Sequence, residues 1–355
     1  MIKDVFKQLF KDKFAKVALF LLAFIYVCLI FADFLAPYTK DFSDRSMAYV
    51  PPSVVFTIDE NGKLSKPYTY NYIREFDQDN LQMVYKLDRS KKYYLKFFSQ
   101  GQSYKFLGLI PMKRHLVTVD EDGRLFLLGS DINGRDVFSR LLFGGRISMT
   151  IGFLALLVLF PIGLLYGGIS GYFGGKVDVI MMRFAEAVMS VPSFYLLIIL
   201  ASILPSGMTS VQRFLLIVII LALIGWAGFA RVVRGMVLSI KNEEFVQAAK
   251  TIGQSKLGII VKHILPQTTS YVIVAMTLSV PSYILSESGL SFLGLGIQQP
   301  DASWGNMLKE AQEFTNIIYR PWLLTPGFLI FIAVLSFNLI GDTIRDILDP
   351  KSRVR

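Results

Sequence analysis

Residues 147–175 read ISMTIGFLALLVLFPIGLLYGGISGYFGG and contain no Asp, Glu, Lys or Arg. A helix rises about 1.5 Å per residue and a bilayer's hydrocarbon core is about 30 Å thick, so roughly 20 apolar residues cross it. This run is long enough, and it is not alone. Val17–Ala32 is uncharged and continues past Asp33 through Phe34–Ala36. Ala187–Gln212 follows, with a break at Pro205-Ser206-Gly207, then Phe214–Ala230, Ile264–Ser286 and Pro321–Gly341. The reading is an all-α membrane protein with six transmembrane helices. Composition agrees: 53% of the 355 residues are hydrophobic and 18% charged, against roughly 25% charged in soluble domains.

The net charge of +10 would suit a nucleic-acid partner, but its distribution argues otherwise. Lys3, Lys7, Lys11, Lys13, Lys16, Lys176, the stretch 231–262 and the tail residues Arg345, Lys351, Arg353 and Arg355 fall on one side of a six-span topology. Only Arg213, Lys309 and Arg320 fall in the short loops opposite. Lys and Arg stay on the cytoplasmic side of short loops, so both termini are expected in the cytoplasm, and no nucleic acid is needed. Ile2, Val5, Phe6, Leu9, Phe10 and Phe14 recur at helical spacing among lysines. That suits a basic amphipathic helix over residues 1–16 lying on membrane lipid, or else a frayed tail. The apolar run after it lacks a clear cleavage site and reads as a retained anchor over 17–36.

Residues 37–128 differ in kind. Val54–Ile58 meets Asp59-Glu60-Asn61-Gly62 and then Lys63-Leu64, and Leu116–Val119 meets Asp120-Glu121-Asp122-Gly123 and then Arg124–Phe126. Such turns between β-prone runs signal hairpins. Tyr93–Phe98 adds a strand. The expectation is a small β-rich extracytoplasmic insertion between the first and second spans, either a binding lobe or a passive brace.

Signals for catalysis are missing. Cys28 is the only cysteine, so no internal disulfide forms, and His115 and His263 suit ordinary hydrogen bonds better than a metal. Gly174-Gly175-Lys176-Val177 lacks the first glycine and the hydroxyl of a phosphate-binding loop. If ATP drives this protein, another chain binds it.

The stretch 241–266 is more telling. Phe245, Val246, Ala248, Ala249 and Ile252 form one small apolar helix face, Gly253 ends or bends it, and Pro266 opens the next span. A plain connection needs only a few residues, so a helix seated on a partner protein, or on lipid, is expected. This stretch resembles the cytoplasmic signature loop of binding-protein-dependent ABC importer permeases: Glu-Ala-Ala, three residues, Gly, then Leu-Pro twelve and thirteen residues later. Ala248, Ala249, Gly253, Leu265 and Pro266 match, and Gln247 stands where the family has Glu.

Two more stretches are similar to dipeptide and oligopeptide permeases. They are Leu128–Arg140 with Gly144–Ser148, and Glu287–Gly296 with Pro300 and Trp304-Gly305. The resemblance covers residues 128–350 and the first span, and the insertion is longer than is typical. It implies a non-catalytic permease subunit of the bacterial inner membrane, working with a homologous second permease, two ATPase subunits that hold ATP and Mg, and an extracytoplasmic substrate-binding protein. The chain itself would hold no cofactor. It also implies that Glu244, Gln247, Ala248, Ala249, Gly253, Lys256, Leu265 and Pro266 couple to the ATPase. The five-helix permease domain spans 129–344, and 345–355 is a cytoplasmic tail.

Other residues are read from chemistry. Gly163, Gly167, Gly171 and Gly175 fall every fourth position, as a helix-packing stripe or a source of flexibility. Arg135, Arg140 and Arg146 flank the outer interface, as a docking face for the binding protein or an interfacial helix, and Asp131 is able to cap the next helix. Pro281, Glu287 and Ser288 are candidates for a pathway or intersubunit surface, since ionisable groups within spans face water or protein. Pro192 and Pro281 should kink their helices. An ion-gradient-driven secondary transporter is the alternative, and it predicts matched repeats that are not evident. A sensor would need a signalling domain, and only five residues follow Pro350.

Overall fold

The computed structural model describes residues 7–348 apart from 61, 79–81, 121 and 206. Residues 1–6 of the expected surface helix over 1–16, and 349–355 of the tail over 345–355, lie outside these residues. The rest of the former is not one surface helix: 7–9 are helical, 10–12 form a turn, and 13–16 already belong to the first spanning helix.

Among the described residues five helices are long and apolar enough to cross a membrane: α1 (Lys13–Ile30), α2 (Val137–Phe173), α5 (Ser210–Ile240), α7 (Lys256–Phe292) and α8 (Pro321–Leu348). Between α2 and α5 stand α3 (Gly175–Ser190) and α4 (Ser193–Ser202), bent by 78° at their junction. Counted as one broken span they make a sixth. The third expected span therefore does not run straight over 187–212: the chain breaks at Val191-Pro192, where both residues are extended and Pro192 has no N–H to offer. Pro281, by contrast, sits within the unbroken part of α7, Thr269–Phe292. At 37 residues, α2 is about 55 Å long and exceeds the hydrocarbon thickness. Its first turns, with Arg140 and Arg146, belong outside the apolar run.

The chain forms two compact units. One comprises residues 1–22, 149–290 and 330–355, and its secondary structure among the described residues is helical, with no strand. In it α2 meets α5 at very short range. A Cβ built on Gly167 would lie 2.4 Å from the Ala230 carbonyl oxygen, and one on Gly171 would lie 2.8 Å from that of Arg234. One on Gly163 would strike Phe229 at 2.5 Å. Only glycine permits backbones this close. The Phe160–Phe229 and Tyr166–Trp226 ring pairs, with centroids 4.3 and 4.5 Å apart, fill the contact on either side. Three members of the glycine stripe are thus packing residues. Gly175 is not: a Cβ there meets nothing within 4 Å, and its φ of +52° serves the turn between α2 and α3.

The second unit comprises 23–148 and 291–329 and holds the β-rich insertion. Strands β1 (Phe56–Ile58), β2 (Leu64–Asp77) and β3 (Gln82–Tyr94) form one antiparallel sheet in that order. β4 (Lys96–Phe97) pairs with β7 (Val117–Thr118), and β5 (Gln100–Phe106) with β6 (Ile110–Arg114). The first expected hairpin is present: Ile58 faces Leu64 across a turn closed by Gly62 N–H on the Asp59 carbonyl. The second is only half there. The Asp120–Gly123 turn forms, but Arg124–Phe126 pairs with no strand, and Leu125 and Phe126 enter the core instead. Burial of two large apolar side chains outweighed the ladder. The expected strand Tyr93–Phe98 is divided between β3 and β4.

His115 is buried with its ring nitrogens 2.8 Å from the carbonyls of Ala36 and Gln102. It ties the insertion to the end of α1 by ordinary hydrogen bonds. Trp304, also buried, donates from Nε1 to the Leu141 carbonyl (2.9 Å) and accepts the approach of Gly145, which accounts for two of the motifs noted in sequence.

Over-packing a close helix contact costs about 1–3 kcal/mol. Gly167→Leu should therefore lower the thermal midpoint of the detergent-purified chain by several degrees. Gly175→Ala places a side chain in the left-handed region at about 1 kcal/mol and should lower it less. Equal effects from the two substitutions would contradict the packing assignment.

Candidate functional site

Helix α6 (Glu244–Thr251) lies between α5 and α7. Glu243 and Glu244 stand at its start and Lys250 in its last turn, each complementing the helix dipole. The single apolar face expected from sequence is divided. Val246 and Ala249 are buried against their own chain, while Phe245, Ala248 and Ile252 are exposed, Ile252 by 74%. The outward surface is thus a small alanine flanked by two larger apolar side chains. Ala249, assigned to the partner contact by the motif, serves instead to seat the helix.

The seat is firm. Gly253, with φ +78°, closes α6: its N–H bonds Lys250, and Gln254 N–H bonds the Ala249 carbonyl. Left-handed backbone at that position is what glycine supplies. Ser255 caps α7 through Gly258 N–H, and Gln254 meets His263 at 2.7 Å. Gln247, the departure from the motif, donates to the Lys241 carbonyl at 3.2 Å and accepts from Lys250. A carboxylate could not donate in this way. Lys256 lies over the Phe173 ring, and Leu265 packs on Gly168. Pro266, exposed, sits in the 3-10 turn that interrupts α7. Sequence reasoning missed the clamp beneath. Arg234 of α5 grips both oxygens of Asp178 of α3, which also accepts from Ser170 of α2 at 2.5 Å, and Lys241 reaches the Gly171 carbonyl at 3.0 Å. Carboxylate and guanidinium spaced 56 residues apart give no local signal.

Glu287 is fully enclosed by its own chain, with Ser288 Oγ 3.5 Å from its carboxylate, and Pro281 is buried too. All three are thus covered by side chains of their own chain. A carboxylate within a span escapes lipid by facing the bundle interior. What opens nearby is a hollow of about 310 Å³ lined by Phe160, Phe229, Tyr271, Ser279, Ser282 and Tyr283.

The three arginines of the second unit also serve the fold. Arg135 Nε binds Asp131 at 2.6 Å, and Arg140 lies 3.5 Å from the same carboxylate; both reach Gln299. Both are buried and paired, as buried charges must be, so neither is presented to a binding protein. Arg146 donates to the Leu29 and Ile30 carbonyls and to Asp33 at 2.7 Å, satisfying the open end of α1. The cap of α2 is Asp136 rather than Asp131: its Oδ2 accepts from Ser139 N–H and hydroxyl at 2.7 and 2.6 Å. Burial pushes the Asp136 carboxyl up to about 7, and burial beside Asp131 does the same to Glu310. Among the described residues no group of three or more His, Cys, Asp and Glu is arranged to hold a metal.

Residues 142–354 match the family described as the binding-protein-dependent transport system inner membrane component, and residues 1–52 match the N-terminal transmembrane domain of oligopeptide transport permease C. The chain belongs to this permease family. The dipeptide transport permease DppC of Bacillus subtilis is 45% identical over 227 residues, covering 63% of this chain and 68% of that one. The oligopeptide permease OppC of Haemophilus influenzae is 45% identical over 226 residues (63% and 70%), and that of Escherichia coli K12 is 44% identical over 235 residues (66% and 74%). As a member, this permease is an integral inner membrane protein.

The Asp136 carboxyl is raised from an ordinary value near 3.8. Its neutral form favours the fold below that value, and this contribution is lost as pH rises through about 7. The wild-type thermal midpoint should fall between pH 5 and 8, and Asp136→Asn, which keeps the cap acceptor, should flatten that fall. Parallel profiles for the two proteins would refute the assignment.

Proposed function

We propose that this permease is one of two homologous membrane subunits of an ATP-driven importer for di- or oligopeptides. The observation that carries the reading is α6: a small exposed knob around Ala248, held rigidly on the ends of α5 and α7. It packs on the start of α7 and follows directly on α5, whose end is held by the Asp178–Arg234 pair and by Lys241, so a push on α6 is delivered to spanning helices rather than absorbed by a loose loop. A partner cleft that receives Ala248 between Phe245 and Ile252 can thereby move the bundle. On this reading ATP and Mg are held by separate ATPase subunits, two in number if each permease is served by one, in keeping with a sequence that carries no phosphate-binding loop. The distribution of Lys and Arg orients the knob and both termini to the cytoplasm. The β-rich insertion then stands on the opposite side, where a binding protein delivers the peptide. Peptide cargo is supported by the relatives, named as dipeptide and oligopeptide permeases at nearly equal identity.

Ala248→Lys tests the reading. It adds bulk and charge to an exposed position and leaves Val246 and Ala249 in place. Peptide uptake in proteoliposomes reconstituted with the ATPases should drop at least about tenfold, since displacing one well-packed interface residue costs about 1–2 kcal/mol or more. Membrane insertion and thermal midpoint should stay as in wild type. Undiminished uptake would refute the docking role.

A further inference from the structure

The hairpin of β5 and β6 ends in a turn of unusual chemistry. Turns in water use Gly, Asn, Asp, Ser and Pro, but this one runs Phe106-Leu107-Gly108-Leu109-Ile110-Pro111-Met112. Leu107 occupies the left-handed region at φ +49°, a conformation leucine rarely adopts. The tip leaves much of this apolar surface uncovered by its own chain: Leu109 is 81% exposed, and Leu107, Ile110 and Met112 are exposed as well. Contiguous exposed apolar surface marks a contact with something else.

Its neighbours identify that contact. The Phe106 ring packs on Phe31, 5.8 Å between centroids, and Leu107 N–H bonds the Asp33 carboxylate at 3.1 Å. Beside them the Phe98 ring lies 6.0 Å from that of Phe34. Residues 31–34 directly follow the last turn of α1, whose apolar Phe24, Val27 and Ile30 are exposed along a helix long and apolar enough to cross a membrane. The hairpin tip therefore stands where the hydrocarbon surface of α1 ends, and extends that surface sideways. Lys105, Lys113 and Arg114, all exposed, flank the apolar tip on both strands. Aromatic and aliphatic groups at the boundary with cations just above them suit the headgroup region of a bilayer.

We propose that the β5–β6 hairpin is a membrane-interface anchor, dipping Leu107, Leu109 and Ile110 into the leaflet beside the end of α1 and setting Lys105, Lys113 and Arg114 against lipid phosphates. Asp33 fixes its depth, because the same carboxylate holds the turn and, through Arg146, the carbonyl end of α1. The insertion is thus moored at a second point beyond its covalent attachment to the spans.

The test places an environment-sensitive fluorophore on Leu109→Cys in a Cys28→Ser background. The full chain with its transport partners is reconstituted in phosphatidylglycerol vesicles containing phosphatidylcholine brominated near the headgroup. A label on Phe24→Cys, exposed along the span, sets the reference for lipid contact. The fluorophore at 109 should lose most of its emission to the brominated lipid, comparably to that at 24, and resist aqueous iodide. Quenching by iodide with none from the lipid would overturn the proposal in favour of a solvated tip. Shielding from both would overturn it in favour of a protein partner.

Discussion

The contact of α2 with α5 at Gly163, Gly167 and Gly171 is the constraint on which the helical unit depends. Lipid supplies no hydrophobic force to press helices together, so association rests on packing and polar contacts. Backbone against backbone at under 3 Å from a would-be Cβ leaves no tolerance for a side chain. That registry brings Ser170 of α2 to Asp178 and Arg234, and Lys241 to the Gly171 carbonyl. The short helix α6 then emerges from an end of α5 that is already held. Close packing in one place thus becomes rigidity at the docking knob.

In the second unit the same problem is solved with charge. Arg135 and Arg140 share Asp131 and Gln299, and Glu310 receives the Ile132 N–H at 3.0 Å. Removing one member of such a buried network leaves another charge uncompensated. The start of α2 is therefore pinned in orientation by the network and by its cap at Asp136. Arg146 pins the end of α1 in the same unit. Residues that looked like an outward docking surface are spent on anchoring the helix ends, and it is the exposed hairpin tip that reaches beyond the unit.

Much of this was legible in advance, for identifiable reasons. An uncharged run of twenty residues has few other fates, so α1, α2, α5, α7 and α8 were readable one at a time. The β1–β2 turn was readable because Asp59–Gly62 encodes it locally. Gly253 announced the end of α6. Errors arose wherever a residue's role depended on what lies across from it. Arg124–Phe126 was expected as a strand and went into a core; Gly175 shared the glycine spacing but met no helix; Ala249 shared the motif with Ala248 but points the other way. Gln247 looked like a loss of charge and proved to be a gained donor.

Sequence alone determined that this chain crosses a membrane, that it carries a β-rich insertion, and that a short helix with a small knob lies between two spans. These outcomes come from charge gaps, turn residues and local spacing, which act over a few residues. Only the tertiary structure decided which face of that helix is outward, that Arg135 and Arg140 are interior and Arg146 is tied to the end of α1, that Asp178 and Arg234 meet, and that an apolar turn sits at the end of α1. Those outcomes depend on pairs of groups tens or hundreds of residues apart, and no local pattern reports the partner a side chain will find.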